Sequence, residues 1–315
     1  MPANLPPQYF EAEKRYRSAK DNDDKIAALE EMLAIMPKHK GTDHLKADLR
    51  RKIAKLTQDS ERKSATQRAS MVIEKEGAAQ VIVIGLPNAG KSQLIASMTG
   101  ASPVVAEYPF TTHSASPGMM DFENIKIQLV DTPPLTPQFI EPWLPNTIRR
   151  ADGLLIVVDL TDAPLNQMEA IVTQLASKRI ELGQDKTKTL TAANKVDMPG
   201  TGESYQALQA RYEGQVPLVG ISAREGTGLE ELRRRIYEML DIIRVYTKTP
   251  GNKPDLTDPI ILERGSTLAD AAAEVHKDFS HRLKYARIWG SGKHDGIMAK
   301  RDHLLQDGDI IELHL

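Results

Sequence analysis

The sequence predicts an α/β protein: a mostly parallel sheet with helices on both faces, preceded by an α-helical hairpin and followed by a small α+β module. Three observations predict it. Short apolar, β-branched runs (VIVIG, IKIQLVD, GLLIVVD) recur between helical stretches, the alternation that builds a parallel sheet buried on both sides. VIVIG passes directly into a Gly-rich turn and the helical stretch KSQLIASM. The flanking segments differ in character, with charged helical periodicity before and a Pro/Gly/Asp-rich opening with short strands after.

The first segment, about Met1 to Gly77, opens on a Pro-containing lead. Ile26, Leu29, Leu33 and Met36 then recur at helical spacing, and Pro37 and Gly41 punctuate. Leu45, Leu49, Ile53 and Leu56 form a second stripe, with Thr42 or Asp43 placed to cap it. Two antiparallel helices joined by MPKHKGT are expected. The second segment, about Ala78 to Arg244, holds the strands above, the helix NQMEAIVTQLASKRI, the strands TKTLTAAN and VPLVGIS, and the helix GTGLEELRRRIYEML. The third, about Val245 to Leu315, reads as strand IILERG, capped helix STLADAAAEVHKDF, strand YARIWG and a terminal strand after DHLLQDGD.

Bulk composition narrows the function classes. A chain of 315 residues allows roughly two or three domains. Hydrophobic content of 40% supports a packed core, and a net charge of −2 gives no global field toward nucleic acid or membrane. With no cysteine there is no disulfide, thiolate metal site or Cys nucleophile. No apolar run is long enough to span a bilayer, and the N-terminus has no apolar leader core. A soluble cytoplasmic protein is therefore expected.

The chemistry sits in the middle segment. GLPNAGKS, Gly85 to Ser92, fits G-x-x-x-x-G-K-[ST] and has the strand before and helix after that the pattern requires. In such a loop, backbone N–H groups converge on phosphate oxygens and the helix N-terminus adds positive potential. Asn88, Ala89, Gly90, Lys91, Ser92 and Gln93 are the candidate phosphate contacts. Lys91 would reach the β- and γ-phosphates as a catalytic group, and the Ser92 hydroxyl would bind Mg2+. NKVD, Asn194 to Asp197, follows a buried strand. The Asp197 carboxylate can accept from the N1–H and 2-amino group of guanine, a donor pair that adenine lacks. Asn194 can bond the base and tie its loop to the phosphate loop, and the Lys195 stem can cover the ring. Ser222 and Ala223, after VPLVGIS, would bring a backbone N–H near the guanine O6. GTP or GDP is the expected ligand. DTPP, Asp131 to Pro134, ends IKIQLVD, and Asp131 would hold Mg2+ through water. PFTT, Pro109 to Thr112, offers Thr112, with Thr111 as the second choice, to close on Mg2+ and the γ-phosphate.

The ordered set GLPNAGKS, FTT, DTPP, NKVD and SA resembles the translation-factor-related small GTPases, in particular the developmentally regulated GTP-binding branch of the Obg family. VYTKTPGNKPD, ILERGSTLADAAAEVHKDF, KYARIWG and LQDGDIIELHL are similar to the TGS domain of that branch and of threonyl-tRNA synthetases. The likeness runs from about Ile26 to Leu315. It implies a Ras-like P-loop G domain followed by a ubiquitin-like β-grasp (TGS) domain, hydrolysis of GTP to GDP and phosphate, and a switch acting on ribosomes or structured RNA.

Two positions depart from the family pattern. Pro134 stands where the family has a glycine whose N–H senses the γ-phosphate, and proline has no N–H. Leu135 stands where many GTPases carry a water-orienting Gln. Asn88 occupies the position of a K+ ligand in cation-activated GTPases with similar loops, so K+-stimulated, otherwise slow hydrolysis is one expectation; a purely loop-stabilising Asn88 is the other. The alternative to a hydrolysing switch is a guanine-nucleotide-sensing module that binds RNA or protein with negligible turnover. From Lys38 to Arg68, ten basic residues stand against four acidic ones, the best local sign of an RNA contact. The third segment is charge-balanced, with ten bases and eleven acids. Its histidines, His276, His281, His294, His303 and His314, read as surface or turn residues. Trp289 reads as core, and Trp143 as packing after DTPP.

Overall fold

The computed structural model describes residues 6–18, 22–36, 45–56, 73–99, 116–136, 140–183, 187–290 and 296–314. The chain divides into two compact units, Met1–Val72 and Ile73–Leu315.

In the first unit, helices α1 (Pro7–Ser18), α2 (Asn22–Ile35) and α3 (45–56) share a small core of Tyr9, Ala12, Leu29, Met32, Met36 and Leu49. Arg15 pairs with Glu31 at 2.7 Å between α1 and α2. Helix α1 is a third helix beyond the two expected. Pro7 is its first residue, a position where the missing N–H has no intrahelical partner to lose. In α3, Leu49 is buried and Ile53 and Leu56 half-buried, while Leu45 is 37% exposed. The expected connection MPKHKGT beyond Met36, the cap at Thr42 or Asp43, and the polar run from Thr57 to Arg68 lie outside the described residues.

The second unit holds two sheets. The larger has the order β2-β3-β1-β4-β5-β6, with β1 (Ala79–Gly85), β2 (Ser116–Phe122), β3 (Ile125–Asp131), β4 (Gly153–Asp159), β5 (Thr189–Asn194) and β6 (Leu218–Ile221). All pairings are parallel except β2 with β3. Side-chain alternation fills both faces. Val81, Val83, Leu155 and Val157 pack with α4 (Lys91–Thr99) and α8 (Leu229–Leu240). Ile82, Ile84, Ile156 and Val158 pack with α5 (Leu144–Arg150), α6 (Pro164–Ser177) and α7 (Thr201–Tyr212). Strands β1 and β4 are buried along their whole length, so they read in the sequence as continuous apolar runs.

Strand β2, SPGMMDF, has no such signature. It is an edge strand, where Pro117 is tolerated. A Cβ on Gly118 would come within 2.8 Å of Thr99 Cγ2, so the glycine lets α4 lie close to the sheet. The helix expected through Ile180 stops at Ser177, and Ile180 instead drops into the core.

The smaller sheet has the order β10-β9-β11-β7-β8, from β7 (Ile242–Thr247), β8 (Ile260–Glu263), β9 (Tyr285–Trp289), β10 (Ile297–Ala299) and β11 (Asp309–His314). Strand β7 lies parallel to β11 at the centre. Helix α9 (Leu268–Val275) covers one face and the single turn α10 (Phe279–Arg282) follows it. This is a β-grasp arrangement. Helix α9 starts with a reciprocal cap. Thr267 Oγ1 accepts from the Asp270 N–H, and the Asp270 carboxylate accepts from the Thr267 N–H at 2.7 Å. Strand β7 begins at Ile242, ahead of the boundary that composition suggests at Val245.

Trp289 corrects its expected core placement. It stands half-buried on the face away from α9, with the Lys248 ammonium 4.4 Å from its ring centroid. Its neighbours Ala286 and Ile288 point into the core instead, as strand alternation requires. Trp143 packs against the α5/α6 side of the G-domain core. His276 is exposed, while His314 is half-buried and bonded to Glu312 at 2.8 Å. His303 is also half-buried, with a shielded Nε2 that finds no partner. His294 and the His281 side chain lie outside the described residues. No metal-binding cluster of His, Asp and Glu occurs among the described residues.

Candidate functional site

Every functional loop leaves the same end of the large sheet. Gly85, Asp131, Asp159, Asn194 and Ile221 are the last residues of β1, β3, β4, β5 and β6. From β1 the chain passes to β2 and β3 on one side of the sheet and then crosses to β4, β5 and β6 on the other, so the crevice lies at the topological switch point, where open α/β sheets bind ligands.

The phosphate loop joins β1 to α4. A Cβ on Gly90, at φ 91°, would stand 2.3 Å from Asn194 Nδ2, so only glycine allows the two loops to meet. Ala89 is buried, whereas Asn88 is exposed in the left-handed region at φ 61°, a conformation asparagine tolerates well. Lys91 is only 7% exposed, and its ammonium donates to the Gly85 and Leu86 carbonyls, each at 3.1 Å. Burial lowers its pKa from 10.5, an effect that nearby Asp131 partly offsets. The first-turn amides of α4, Lys91 through Gln93, have no intrahelical acceptors to satisfy. The Gln93 side chain itself turns back to Ser97 Oγ at 3.3 Å.

Asp131 is the electrostatic complement of Lys91. Its Oδ2 accepts from Ser92 Oγ at 2.5 Å, while its Oδ1 is buried without a hydrogen-bond partner. Burial raises its pKa, against the opposing pull of Ser92 and Lys91. A shielded carboxylate oxygen beside a hydroxyl is a donor set that fits a hard divalent cation such as Mg2+. Thr111 and Thr112 lie outside the described residues.

Beyond Asp131 the chain is pinned to rigid neighbours. Thr132 Oγ1 donates to the Val83 carbonyl at 2.7 Å, the Leu135 N–H donates to the Gly85 carbonyl at 3.0 Å, and Gln174 Nε2 donates to the Thr136 carbonyl. Leu135 is 1% exposed. Its side chain packs in the core on the α5/α6 side of the sheet. Pro134 is exposed.

Asn194 holds the base side of the crevice to the phosphate side. Its Nδ2 donates to the Ala89 carbonyl at 2.9 Å, and its Oδ1 accepts from the N–H groups of Lys195 at 2.9 Å and Ala223 at 3.0 Å. Its carbonyl oxygen is thus fully engaged within the protein. The expected amide beside the guanine O6 is also taken: Ala223 donates to Asn194, and Ser222 donates to the Thr227 carbonyl at 2.9 Å. The Ser222–Ala223 turn is therefore a brace, tied to α4 as well through Ser97 Oγ on the Ala223 carbonyl at 2.7 Å. Asp197 is exposed, and its carboxylate makes no hydrogen bond or ion pair among the described residues. Lys195 adopts φ 72° and its ammonium pairs with Asp159. Motif reading missed Asp159, Ser97 and Gln167, because their partners come from other strands and helices and only the topology brings them together.

The comparisons agree with this geometry. A family model described as 50S ribosome-binding GTPase matches residues 80–195, and a TGS-domain model matches residues 243–315. A GTP-binding protein of Methanocaldococcus jannaschii is 27% identical, with 92% of each chain covered. Developmentally-regulated G-protein 3 of Arabidopsis thaliana is 28% identical over 92% of this chain and 97% of its own. Developmentally-regulated GTP-binding protein 1 of Xenopus laevis is 26% identical over 92% and 98%. Both domains are matched in order and the likeness extends along nearly the whole chain: the protein has a GTP-binding G domain followed by a C-terminal TGS domain, and over 92% of its length it is similar to proteins named developmentally regulated GTP-binding proteins.

Proposed function

We propose that this protein hydrolyses GTP to GDP and phosphate and that the bound nucleotide switches its association with ribosomes or structured RNA in the cytoplasm. The observation that carries the proposal is the pair of opposite charges at the crevice, buried Lys91 and half-buried Asp131 with one shielded oxygen. Lys91 is held by loop carbonyls and Asp131 has an unmet oxygen. An anion for the first and a cation for the second are what a magnesium–nucleotide complex supplies.

In this reading each residue takes the role that its motif gives it. Asn88, Ala89, Gly90, Lys91, Ser92 and Gln93 surround the phosphates with amides and one ammonium. Ser92, Asp131 and Thr112 would hold Mg2+, and the ion would supply charge neutralisation to the phosphate oxygens. Lys91, desolvated before the ligand arrives, acts where an ammonium counts most in stabilising that charge. Asp197 reads the guanine edge, Lys195 covers the ring, and Asn194, Ser222 and Ala223 brace the pocket. Asn88, exposed and left-handed, leaves its amide free for a K+ ion. The working division is a basic helical region over 1–77, a G domain over 78–244 and a TGS domain over 245–315.

The ribosome reading is supported by the description of the matching G-domain model and by α3, where Arg50, Arg51, Lys52 and Lys55 are exposed. No helix among the described residues is long and apolar enough to cross a membrane. The core placement of Leu135 and the absent N–H of Pro134 favour a second reading, a nucleotide sensor with negligible hydrolysis. Phosphate release measured in K+ and in Na+, with and without ribosomes, separates the two. The switch predicts turnover that rises with ribosomes, and with K+ over Na+. Flat, negligible rates in all four conditions contradict it and favour the sensor.

A further inference from the structure

The base side of the crevice contains a charged residue outside the nucleotide motifs. Asp159 ends β4 and is 6% exposed. Its backbone is clamped from both directions by Gln167 of α6, which accepts from the Asp159 N–H at 3.1 Å and donates to its carbonyl at 3.0 Å. That clamp fixes where the carboxylate points. The two carboxylate oxygens have different partners. Oδ1 accepts from the Thr161 N–H at 2.9 Å and the Thr161 hydroxyl at 2.7 Å, closing the turn into α6. Oδ2 meets the ammonium of Lys195 across the gap between strands. Burial pushes the carboxyl up, but the Lys195 and Thr161 bonds outweigh it and leave its pKa below the ordinary value.

Lys195 needs such a partner. It sits in the left-handed region at φ 72°, which non-glycine residues seldom adopt. Untethered, its four-carbon stem would lose much rotamer freedom on being ordered by a ligand. Tied at the ammonium, the stem is ordered beforehand, and preorganisation of that kind shows as affinity.

We propose that Asp159 is a positioning residue for nucleotide recognition, acting through Lys195 to hold that side chain's stem across the guanine ring. The inference rests on the base pocket being where Asp197 and Lys195 place it. Asp159→Asn is the informative variant. An asparagine Oδ1 still accepts from Thr161 and keeps the turn, while Nδ2 in place of Oδ2 can no longer hold an ammonium.

The test is GDP affinity in Mg2+ for the full chain, its Asp159→Asn, Lys195→Met and Asp197→Asn variants and the Asp159→Asn/Lys195→Met double variant, with melting temperature read on the same samples. Asp159→Asn is expected to weaken GDP about tenfold, the scale of one charge-assisted hydrogen bond. In the Lys195→Met background, which has no ammonium to hold, the same change should cost less than about twofold, since residues acting through one contact are not additive. Loss of the Asp159–Lys195 pair is expected to lower the melting temperature of nucleotide-free Asp159→Asn as well, so GDP affinity is read at a temperature below the melting transition of every variant. An equal loss in both backgrounds, or an unchanged GDP affinity in Asp159→Asn while Lys195→Met weakens binding, overturns the proposal. If neither Lys195→Met nor Asp197→Asn alters GDP affinity, the base pocket itself is misplaced and both readings fall together.

Discussion

At the scale of single residues, the crevice is built at the expense of the empty protein's stability. Asp131 has a folded pKa above its ordinary 3.8, so its penalty is absent below that pH and builds as pH rises past it. Lys91 has a folded pKa below its ordinary 10.5, so its penalty vanishes above that pH and builds as pH falls. Near neutrality both act at once, relieved only in part by each other. Asp131→Asn is therefore expected to raise the melting temperature of nucleotide-free protein. The same variant should lose the magnesium-dependent part of the stabilisation by GDP, which for the parent reaches about 2.7 kcal/mol at a hundredfold excess over Kd. Thermal melts with GDP, with and without Mg2+, check both halves. The sequence made Lys91, Asp131, Asn194 and Asp197 legible because their chemistry fixes both residue type and spacing. It could not show that the Asn194 amide nitrogen and oxygen and the Ala223 N–H are used inside the protein, because Asn194 Nδ2 donates to Ala89 more than a hundred residues away and Asn194 Oδ1 accepts from Ala223 about thirty residues away.

At the scale of elements, legibility followed burial. Strands β1 and β4 were readable most of all, because a sheet covered on both faces demands near-continuous apolar runs. Strand β2 was not, since an edge can carry Pro117, Gly118 and Asp121. Helix α1 was hidden by its own proline, and polar α7 buries only Thr201, Leu208 and Tyr212. The least legible feature joins the two sheets. Arg244, in β7 and with its side chain 12% exposed, bonds Asp307 through Nε at 3.0 Å and a terminal nitrogen at 2.7 Å. It also reaches Glu123 and, at 3.2 Å, the Asn124 side chain in the β2–β3 turn. Tyr237 of α8 donates to Asp307 at 2.9 Å, stacks on Phe122 at 4.7 Å, and has its phenol pushed up to about 12 by burial and Asp307. Arg244→Ala should destabilise the second unit by about 2 kcal/mol, the scale of losing charge-assisted bonds to a partly buried carboxylate. Burial raises the Asp307 carboxyl, but Arg244 and Tyr237 outweigh it and hold its pKa below 3.8. Its contribution is therefore complete above that pH and lost as pH falls below it. Urea unfolding of parent and variant should differ at pH 7 and converge as the buffer is taken below that value.

At the scale of the whole molecule, the same hairpin that touches Arg244 at its turn ends at Asp131, so the nucleotide crevice and the TGS sheet are joined by one pair of strands. The α/β class of the middle segment was legible from apolar alternation and the third segment as a small α+β module from its capped helix and terminal strand; its TGS character came from the resemblance of its motifs. Trp289 was misread because strand alternation alone leaves open which face meets α9. Everything assigned to this chain depends on guanine nucleotide occupying the crevice at the ends of β1, β3 and β5. The most direct measurement is calorimetric titration of nucleotide-free parent and Asp197→Asn protein with GDP and with XDP in Mg2+. The account predicts that the parent binds GDP and discriminates against XDP, and that the variant reverses this preference. A variant that binds GDP as tightly as the parent would contradict it.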